Sequence, residues 1–255
     1  MAPWRTPEDI AGIAKAGAIL AACRNRLKTL IRPGLTPLEI DAHVERFLAA
    51  HGATPEQKGY NGYPRATCAS VNEVACHGIP DGRPLRSGDI VTIDMVVNYA
   101  GWLADSAWTF PVGAVSDSSI RLLRTAKSCL YAGIAQAKPG KRVGDIGHAI
   151  GRLAAANGYA VFEQFTGHGI GSWIHEWPSI SHVGKPGRGV KLEEGMVITI
   201  EPILTSGTTK TRIGADGWTA RSVDGRWSAQ YEHTLAVTRE GPLILTSLTP
   251  ELVRG

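Results

Sequence analysis

Four acidic residues lie in strand-like stretches that are otherwise apolar: Asp94, Asp105, Glu201 and Glu232. Asp94 interrupts the run "IVTIDMVVNYAGWLADSAWTF", residues 90–110, and Asp105 follows eleven residues later. Acidic side chains are disfavoured in strands, and a buried carboxylate without a partner is costly. A cation shared between the carboxylates would remove that cost, so these acids predict a metal site rather than a solvated surface.

The first two acids are predicted to face each other across a hairpin. A turn centred between Tyr99 and Ala100, flanked by Asn98 and Gly101, would place Asp94 directly opposite Asp105. Opposite residues of an antiparallel pair share one face, with Cβ atoms about 4.5–5.5 Å apart. Such a pair of carboxylates repels unless a proton or a cation lies between them.

The eight histidines divide by their surroundings. Three lie on predicted helices and one follows Glu232 on the opposite strand face, so we interpret these as structural: His43, His51, His148 and His233. His182 lies in a loop and is left undecided. His77, His168 and His175 lie in "CHGIP", "TGHGIG" and "WIHEWP". Glycines beside His168 allow close backbone approach, which favours it as a metal ligand.

Four carboxylates with one imidazole form an oxygen-rich ligand set. Such a set suits Mn²⁺, Fe²⁺, Co²⁺ or Zn²⁺ at paired positions, whereas structural zinc prefers Cys and His. Two divalent cations about 3.5–4 Å apart, bridged by carboxylates, would activate one water or hydroxide. The predicted chemistry is therefore metal-assisted hydrolysis, and the identity of the metal is left open.

The order of capping, apolar and turn-forming residues predicts the helices and strands that could position these side chains. Helices are predicted from Thr6 to about Ile31, from Thr36 to about His51, from Ser118 to about Ala137 and from Val143 to about Asn157. The first two begin with Thr-Pro pairs followed by acids, which is typical of capped helix N-termini. Strands are predicted at about 66–71, 90–97, 103–111, 161, 196–201, 218–221 and 228–238, and 59–64 reads as a loop.

The pattern repeats once along the chain. "IRPGLTPLEIDAHVERFLAAHGA" aligns with "AKPGKRVGDIGHAIGRLAAANGY" at a shift of 106 residues, and "LRSGDIVTID" aligns with "LEEGMVITIE" at a shift of 107. The second match places Asp94 on Glu201. We therefore expect a duplicated helix-helix-strand unit, in halves of about 6–113 and 118–240, with acids from both halves meeting between them.

Composition limits the class of protein. The 255 residues are 43% hydrophobic and 20% charged, with a net charge of +4. No apolar run is long enough to span a membrane, and the first residues lack a secretory apolar region. The four cysteines form no CxxC motif, which is typical of a reduced compartment. We expect a cytoplasmic protein with no DNA or membrane partner.

Five motifs, in this order, resemble the signatures of type I methionine aminopeptidases: "SVNEVACHGIP", "IVTIDMVVNYAGWLADSAWTF", "GHGIGSWIHEWP", "MVITIEP" and "DGWTARSVDGRWSAQYEHT". The resemblance runs from about Thr6 to Thr238. It implies an α/β pita-bread fold, with two pseudo-twofold-related halves around a central antiparallel sheet, as one catalytic domain over 1–255. The short spacing of 33 positions between His168 and Glu201 excludes the helical insertion of type II enzymes.

The resemblance implies roles for named residues. The metal ligands would be Asp94, Asp105, His168, Glu201 and Glu232, holding two divalent ions. The catalytic residues would be His77, His175 and Glu201, with a metal-bridged hydroxide as nucleophile and Glu201 as proton shuttle. The substrate would contact Tyr60, Tyr63, Cys68, His77, His175 and Trp218. Two positions depart from the family: Ile174 stands where Phe is common, and Val96 where Thr is often found.

The implied reaction is removal of the N-terminal methionine from nascent proteins and peptides with a small second residue. The enzyme would be a monomer, and a transient ribosome contact is left open. One alternative is a proline-specific pita-bread peptidase, although those enzymes usually carry an added N-terminal domain. A second alternative is a non-catalytic pita-bread binding module. Those relatives have generally lost ligands, whereas all five ligand positions are filled here.

Overall fold

The computed structural model describes residues 4–253, and four α-helices lie within this range. They are α1 (Pro7–Leu30), α2 (Pro37–Ala50), α3 (Asp117–Ile134) and α4 (Val143–Ala156). Thr6 and Thr36 cap α1 and α2, and each accepts a hydrogen bond from the backbone amide three residues later. Asp9 and Glu39 in turn accept a hydrogen bond from the backbone amide of the capping residue, so both helices begin with a capping box. The sequence predicted both capping residues, and the capping box of α2.

The strands are mostly short. In chain order they are β1 (Thr54–Pro55), β2 (Cys68–Val71), β3 (Val74–Cys76), β4 (Ile90–Tyr99), β5 (Trp102–Pro111), β6 (Ala160–Val161), β7 (Gly167–Gly169), β8 (Glu176–Ile180), β9 (Val197–Ile200), β10 (Ile203–Thr205), β11 (Thr211–Ile213), β12 (Ala220–Ser222), β13 (Ser228–Gln230), β14 (His233–Thr238), β15 (Gly241–Ile244) and β16 (Glu251–Leu252). A 3₁₀ turn covers Tyr60–Gly62, inside the predicted loop.

Two sheets position the predicted acids: Asp94 and Asp105 lie within the first, and Glu201 and Glu232 lie directly after β9 and directly before β14 of the second. The first has the order β1-β4-β2 with β5 paired on β4, and the second has the order β16-β15-β14-β9-β7-β8. All strand pairs within residues 4–253 are antiparallel. A bridge between Trp108 of β5 and Tyr231 links the first half of the chain to the second.

The register of the β4–β5 hairpin differs from the prediction. Ala100 and Gly101 form the turn, so Asp94 lies opposite Ala107 and Asp105 lies opposite Val96. The two acids are therefore diagonal neighbours on one face, not a directly opposed pair. The reason is the turn backbone, which has φ of 53° at Ala100 and 85° at Gly101. A two-residue turn with two positive φ values twists with the strands and favours glycine at its second position.

The predicted strand 228–238 is interrupted. Tyr231 and Glu232 separate β13 from β14, and Glu232 donates its amide to the carbonyl of Ala107 on β5. This break moves the chain from one sheet to another at Glu232. The sequence pattern did not indicate it, because no glycine or proline marks a break between Ser228 and Thr238.

Each helix pair packs on its own set of strands. Apolar residues of α1 and α2 join those of β4 in one core, including Leu20, Val44 and Ile93. Apolar residues of α3 and α4 join those of β9 and β14 in a second core, including Leu130 and Ile198. The arrangement of helix, helix and strands thus occurs twice, as the internal repeat predicted. The exact limits of the two halves, and the single-domain assignment over 1–255, stay predictions.

Candidate metal centre

A cavity of about 610 Å³ lies where the two sets of strands meet. Its walls include Asp94 and Asp105 from the first half of the chain and His168, Glu201 and Gln230 from the second. Ligand atoms of Asp105, His168 and Glu232 all lie within 4.8 Å of one another. Acids from both halves therefore converge on one place, as expected from the repeat.

His168 is held in an orientation that suits a metal ligand. Its backbone amide donates to Thr199 Oγ1 at 3.0 Å, and its Nδ1 lies 2.9 Å from the carbonyl of Gly169. Because a carbonyl only accepts, Nδ1 carries the proton and Nε2 keeps its lone pair. Nε2 lies 3.6 Å from Glu201 Oε1 and 3.8 Å from Asp105 Oδ2. Burial lowers the pKa of His168 to about 4, so the ring is neutral.

The carboxylates have no cationic partner among the ion pairs of residues 4–253. Burial raises the pKa of Asp94 to about 6. The pKa values of Asp105 and Glu232 lie well above their usual range, first because of burial and then because of neighbouring carboxylates. Asp94 Oδ1, Asp105 Oδ1 and Glu232 Oε1 are buried without a hydrogen-bond partner.

These orphaned oxygens fit a divalent metal. Buried polar atoms without partners are rare and costly, and each one calls for an explanation. Carboxylate oxygens together with a neutral imidazole nitrogen are ligands that Mn²⁺, Fe²⁺, Co²⁺ and Zn²⁺ accept. Asp105, His168 and Glu232 form the compact group, and Asp94 and Glu201 line the same cavity, while the role of all five as metal ligands stays a prediction.

Glu201 differs from the other acids because both of its oxygens are engaged. Oε1 accepts from Thr199 Oγ1 at 2.9 Å, and Oε2 accepts from Gln230 Nε2 at 3.2 Å. Its backbone amide donates to His182 Nε2 at 3.0 Å. Burial, followed by the charge of Asp94, raises the pKa of Glu201 to about 8. The carboxyl group is thus fixed in position and has a pKa near neutrality.

Two further histidines lie at the cavity wall. The Tyr60 hydroxyl lies 2.7 Å from His175 Nδ1, and the His175 ring lies 4.4 Å from that of His168. His77 packs edge-on against Phe165 and Trp218. Its backbone has a φ of 55°, a left-handed conformation that is uncommon outside glycine. Strain of this kind concentrates at functional sites.

The rest of the predicted substrate residues surround an apolar corner of the same cavity. The Tyr63 ring packs edge-on against the Trp218 ring, with ring centroids 5.1 Å apart. The Tyr63 hydroxyl lies 3.0 Å from the carbonyls of Thr67 and Gly78, so it is used structurally. Cys68, Ile174 and Val96 are buried and line the cavity as well.

Sequence reasoning missed several residues that support the site. Gln57 accepts from the amide of Val96 at 2.6 Å and approaches Cys68 Sγ at 3.3 Å. Gln230 and Thr199 hold Glu201, and Phe165 packs on His77. Gln230 lies in the quoted run "SAQYEHT", which could have pointed to it. Thr199 likewise lies in the quoted run "MVITIEP", two residues before Glu201. Gln57 carries no such signal, because it lies outside all the quoted motifs.

Comparison with known proteins supports the same chemistry. The model of metallopeptidase family M24 matches residues 11–239. Methionine aminopeptidase 1 of Bacillus subtilis is 43% identical over 242 residues, which is 95% of this chain and 98% of that protein. The crystal structure of methionine aminopeptidase from Rickettsia prowazekii superposes with a TM-score of 0.95 at 37% identity, covering 96% of this chain and 100% of that one.

A proline-specific relative is more distant. The prolidase from Pyrococcus furiosus superposes with a TM-score of 0.75 at 25% identity, and the match covers 98% of this chain but 66% of that one. Together these structures confirm the predicted pita-bread fold. The difference in identity and coverage favours the methionine-specific branch over the proline-specific alternative.

Proposed function

The chain belongs to metallopeptidase family M24, and we propose that it is a type I methionine aminopeptidase. It hydrolyses the peptide bond after an N-terminal methionine when the second residue is small. The observation that carries this proposal is the cavity in which buried, unpartnered carboxylate oxygens surround one neutral imidazole nitrogen. Its substrates are the N-termini of newly made proteins and of peptides.

Asp94, Asp105, His168, Glu201 and Glu232 would hold two divalent cations. Carboxylates shared between two cations would balance the charge that is otherwise uncompensated in this cavity. When bound, the cations would lower the pKa of a water molecule and polarise the scissile carbonyl. Which of Co²⁺, Mn²⁺, Fe²⁺ or Zn²⁺ the protein uses depends on affinity and on cellular supply.

Glu201 serves as the proton carrier. Its hydrogen bonds to Thr199 and Gln230 fix the carboxyl group in the cavity, where it can take a proton and return it. It receives the proton of the attacking water and delivers it to the leaving amine. A positioned group of this kind contributes roughly 10²–10⁴-fold to the rate.

His175 serves as a hydrogen-bond donor to the substrate. The Tyr60 hydroxyl lies 2.7 Å from Nδ1, and when this hydroxyl is the donor the ring proton of neutral His175 lies on Nε2. Nε2–H then donates to the carbonyl oxygen of the scissile bond, on which negative charge develops in the transition state. His77, whose ring packs edge-on against Trp218, would contact the amide on the leaving side.

The methionine side chain occupies the apolar corner formed by Tyr60, Tyr63, Cys68, Ile174 and Trp218. An unbranched thioether packs well against aromatic rings and against sulfur. Ile174 contributes a smaller wall than an aromatic residue would. Val96 contributes no hydroxyl, and its amide is instead tied to Gln57.

The test is a comparison of substrates with the metal-loaded protein. Met-Ala-Ser should release methionine, and Ala-Pro peptides should not be cleaved at a comparable rate. Efficient cleavage of Ala-Pro peptides would instead assign the proline-specific activity. Metal analysis distinguishes a non-catalytic binding module, which would fail to retain two divalent ions per chain under anaerobic loading.

The location, the oligomeric state and the ribosome contact of this protein are further expectations. No helix within residues 4–253 has the length and apolar character needed to cross a membrane. A cytoplasmic location, a monomeric state and a transient ribosome contact stay predictions. Size-exclusion chromatography and ribosome co-sedimentation would test the last two.

A further inference from the structure

One wall of the cavity is formed by the segment Gly171–Trp177, which we call the rim segment. Ile174, His175 and Glu176 of this segment line the cavity. The segment contains no helix, and strand β8 begins only at Glu176. The position of His175 therefore depends on side-chain contacts rather than on a regular backbone ladder.

Glu176 ties the rim segment together. Its Oε1 accepts hydrogen bonds from the backbone amides of Ser172 at 2.9 Å and Trp173 at 3.1 Å. These bonds close a tight loop around His175. A carboxylate that accepts backbone amides in this way needs a compensating positive charge when it is largely buried, and only 9% of the Glu176 side chain is exposed.

Arg5 supplies that charge from the other end of the chain. Its Nη2 lies 2.6 Å from both carboxylate oxygens of Glu176, and the two side chains are equally buried. Nη1 reaches Ser172 Oγ at 3.3 Å. The guanidinium occupies the space beside Gly171, where a Cβ atom would lie 2.7 Å from Arg5 Cζ.

Arg5 is itself anchored, so it can act as a fixed point. Its backbone amide donates to the carbonyl of Gly195 at 2.8 Å, and its guanidinium lies 5.4 Å from the ring centroid of Trp102. It directly precedes Thr6, the capping residue of α1. Arg5 therefore connects the first helix, the β4–β5 hairpin and the rim segment.

We propose that Arg5 is a positioning residue for the reaction, acting through Glu176 to fix His175 against the scissile carbonyl. On one side His175 is held by Tyr60. On the other side it is held by the backbone loop that Glu176 and Arg5 close. Because a displacement of about 1 Å in a catalytic group can cost roughly 10²-fold in rate, a partial loosening of this loop should be visible in kcat.

The proposal rests on the proposed function, and its experiment uses the full-length, metal-loaded protein. The variants are Arg5→Gln, Arg5→Lys, Glu176→Gln and the double variant Arg5→Gln/Glu176→Gln. The control is Arg239→Gln, which removes an exposed ion pair of the same length, 2.6 Å to Glu194, away from the cavity. The readouts are kcat and KM on Met-Ala-Ser, metal content, and amide hydrogen exchange of the rim segment.

For Arg5→Gln we expect kcat to fall by about tenfold while KM changes less than about twofold, because His175 acts mainly in the transition state. Amide exchange at Ser172 and Trp173 should rise, and metal content should stay unchanged. Arg5→Lys should recover part of kcat, since lysine keeps the charge but lacks the second nitrogen that Arg5 places on Ser172 Oγ. The double variant should resemble Glu176→Gln alone, because both changes break one unit.

Wild-type kcat in folded Arg5→Gln, or in Glu176→Gln if Arg5→Gln does not fold, would overturn the proposal. So would increased exchange of the rim segment with unchanged kcat, since the pair would then be structural only. An equal loss in Arg239→Gln would also overturn it. If the wild-type protein releases no methionine, the proposed function fails. If the wild-type protein is active and the Arg5 and Glu176 variants have the same kcat, the positioning role alone is wrong and the proposed function stands.

Discussion

At the scale of single residues, the chemistry of the site depends on which side-chain nitrogen and oxygen atoms already form hydrogen bonds within the protein. His168 donates through Nδ1 to the Gly169 carbonyl, which leaves Nε2 as the free ligand atom. Asp94, Asp105 and Glu232 each keep one buried oxygen without a partner, whereas both oxygens of Glu201 are hydrogen-bonded. One buried oxygen of each of Asp94, Asp105 and Glu232 is thus open to a cation, whereas the Glu201 carboxyl group is held in a fixed position.

The change Asp94→Asn removes one negative ligand while preserving shape. We expect loss of metal from one position and a fall in kcat/KM of about 10²-fold or more, since even the loss of a residue that only supports a ligand costs 10–100-fold.

Glu201→Gln should lower kcat by roughly 10²–10⁴-fold because the proton carrier is lost. Metal analysis and steady-state kinetics on Met-Ala-Ser measure both effects.

Glu194→Gln is the matched control, because its carboxylate is exposed and pairs only with Arg239. It should keep wild-type kinetics. Near-wild-type turnover by a purified, metal-loaded Asp94→Asn protein would refute the ligand assignment.

The cysteines should be unreactive in the folded protein. All four are free and buried. Burial raises the pKa of Cys23 and Cys129 to about 12, and places those of Cys68 and Cys76 well above the usual value. A raised pKa leaves almost no thiolate at pH 8, and the thiolate is the reactive form.

We therefore expect a coloured disulfide reagent at pH 8 to modify none of the four thiols in native protein during the time that labels all four in denaturant. Cys68 borders the cavity and is the critical case. Rapid labelling of Cys68, identified by mass spectrometry, would contradict its burial and assign it a reactive role.

At the scale of secondary structure, glycines set how closely α4 approaches the loop before β9. A Cβ on Gly147 would lie 2.6 Å from the carbonyl carbon and oxygen of Val183 and 2.8 Å from the oxygen of Ser181. A Cβ on Gly151, one turn later in the same helix, would meet only Val183 Cγ1 at 3.8 Å. The two glycines thus have different functions within one element.

Gly147→Ala should destabilise the protein by more than about 1 kcal/mol, because overpacking against backbone costs roughly 1–3 kcal/mol. Gly151→Ala should stabilise it by about 0.5–1 kcal/mol, because alanine is the better helix former. Chemical denaturation of both variants measures the difference. Equal effects of the same sign would show that the close approach at Gly147 carries no cost.

The sequence predicted helix starts, turns and strand breaks more accurately when the interactions that fix them join residues close together in the chain. The Thr-Pro pairs at Thr6 and Thr36 act through bonds to residues three positions away, so both helix starts were read correctly. The turn at Ala100 and Gly101 was displaced by one residue in the prediction. The break at Glu232 was missed, because it depends on the hydrogen bond from the Glu232 amide to Ala107 of β5, more than a hundred residues earlier in the chain.

At the scale of the whole molecule, the structure places acidic groups from both halves in one cavity. Burial, and then repulsion between neighbouring carboxylates, raises the pKa values of Asp105 and Glu232, so charging them without a cation is costly. Ligands that bind only the folded state stabilise it in proportion to their occupancy. Folding and metal binding are therefore coupled across the two halves.

Removal of metal should lower stability reversibly. At a metal concentration of one hundred times the dissociation constant, the loaded protein should gain about 2.7 kcal/mol over the chelated protein. Denaturant unfolding with and without chelator, followed by readdition of Mn²⁺ or Co²⁺, measures this gain. Asp94→Asn should show a smaller metal-dependent gain, and identical midpoints for loaded and chelated wild-type protein would contradict the coupling.

The sequence by itself determined the helix starts, the internal repeat, the kind of ligand and, through five ordered motifs, the family. These signals are local or are repeated along the chain, so they can be read without knowing which segments touch. Tertiary structure alone decided the diagonal placement of Asp94 and Asp105, the use of His182 behind Glu201, and the pairing of Arg5 with Glu176 across 171 positions. Contacts of that range arise from how sheets and helices pack, and the packing energy is shared among many apolar residues that individually specify no partner.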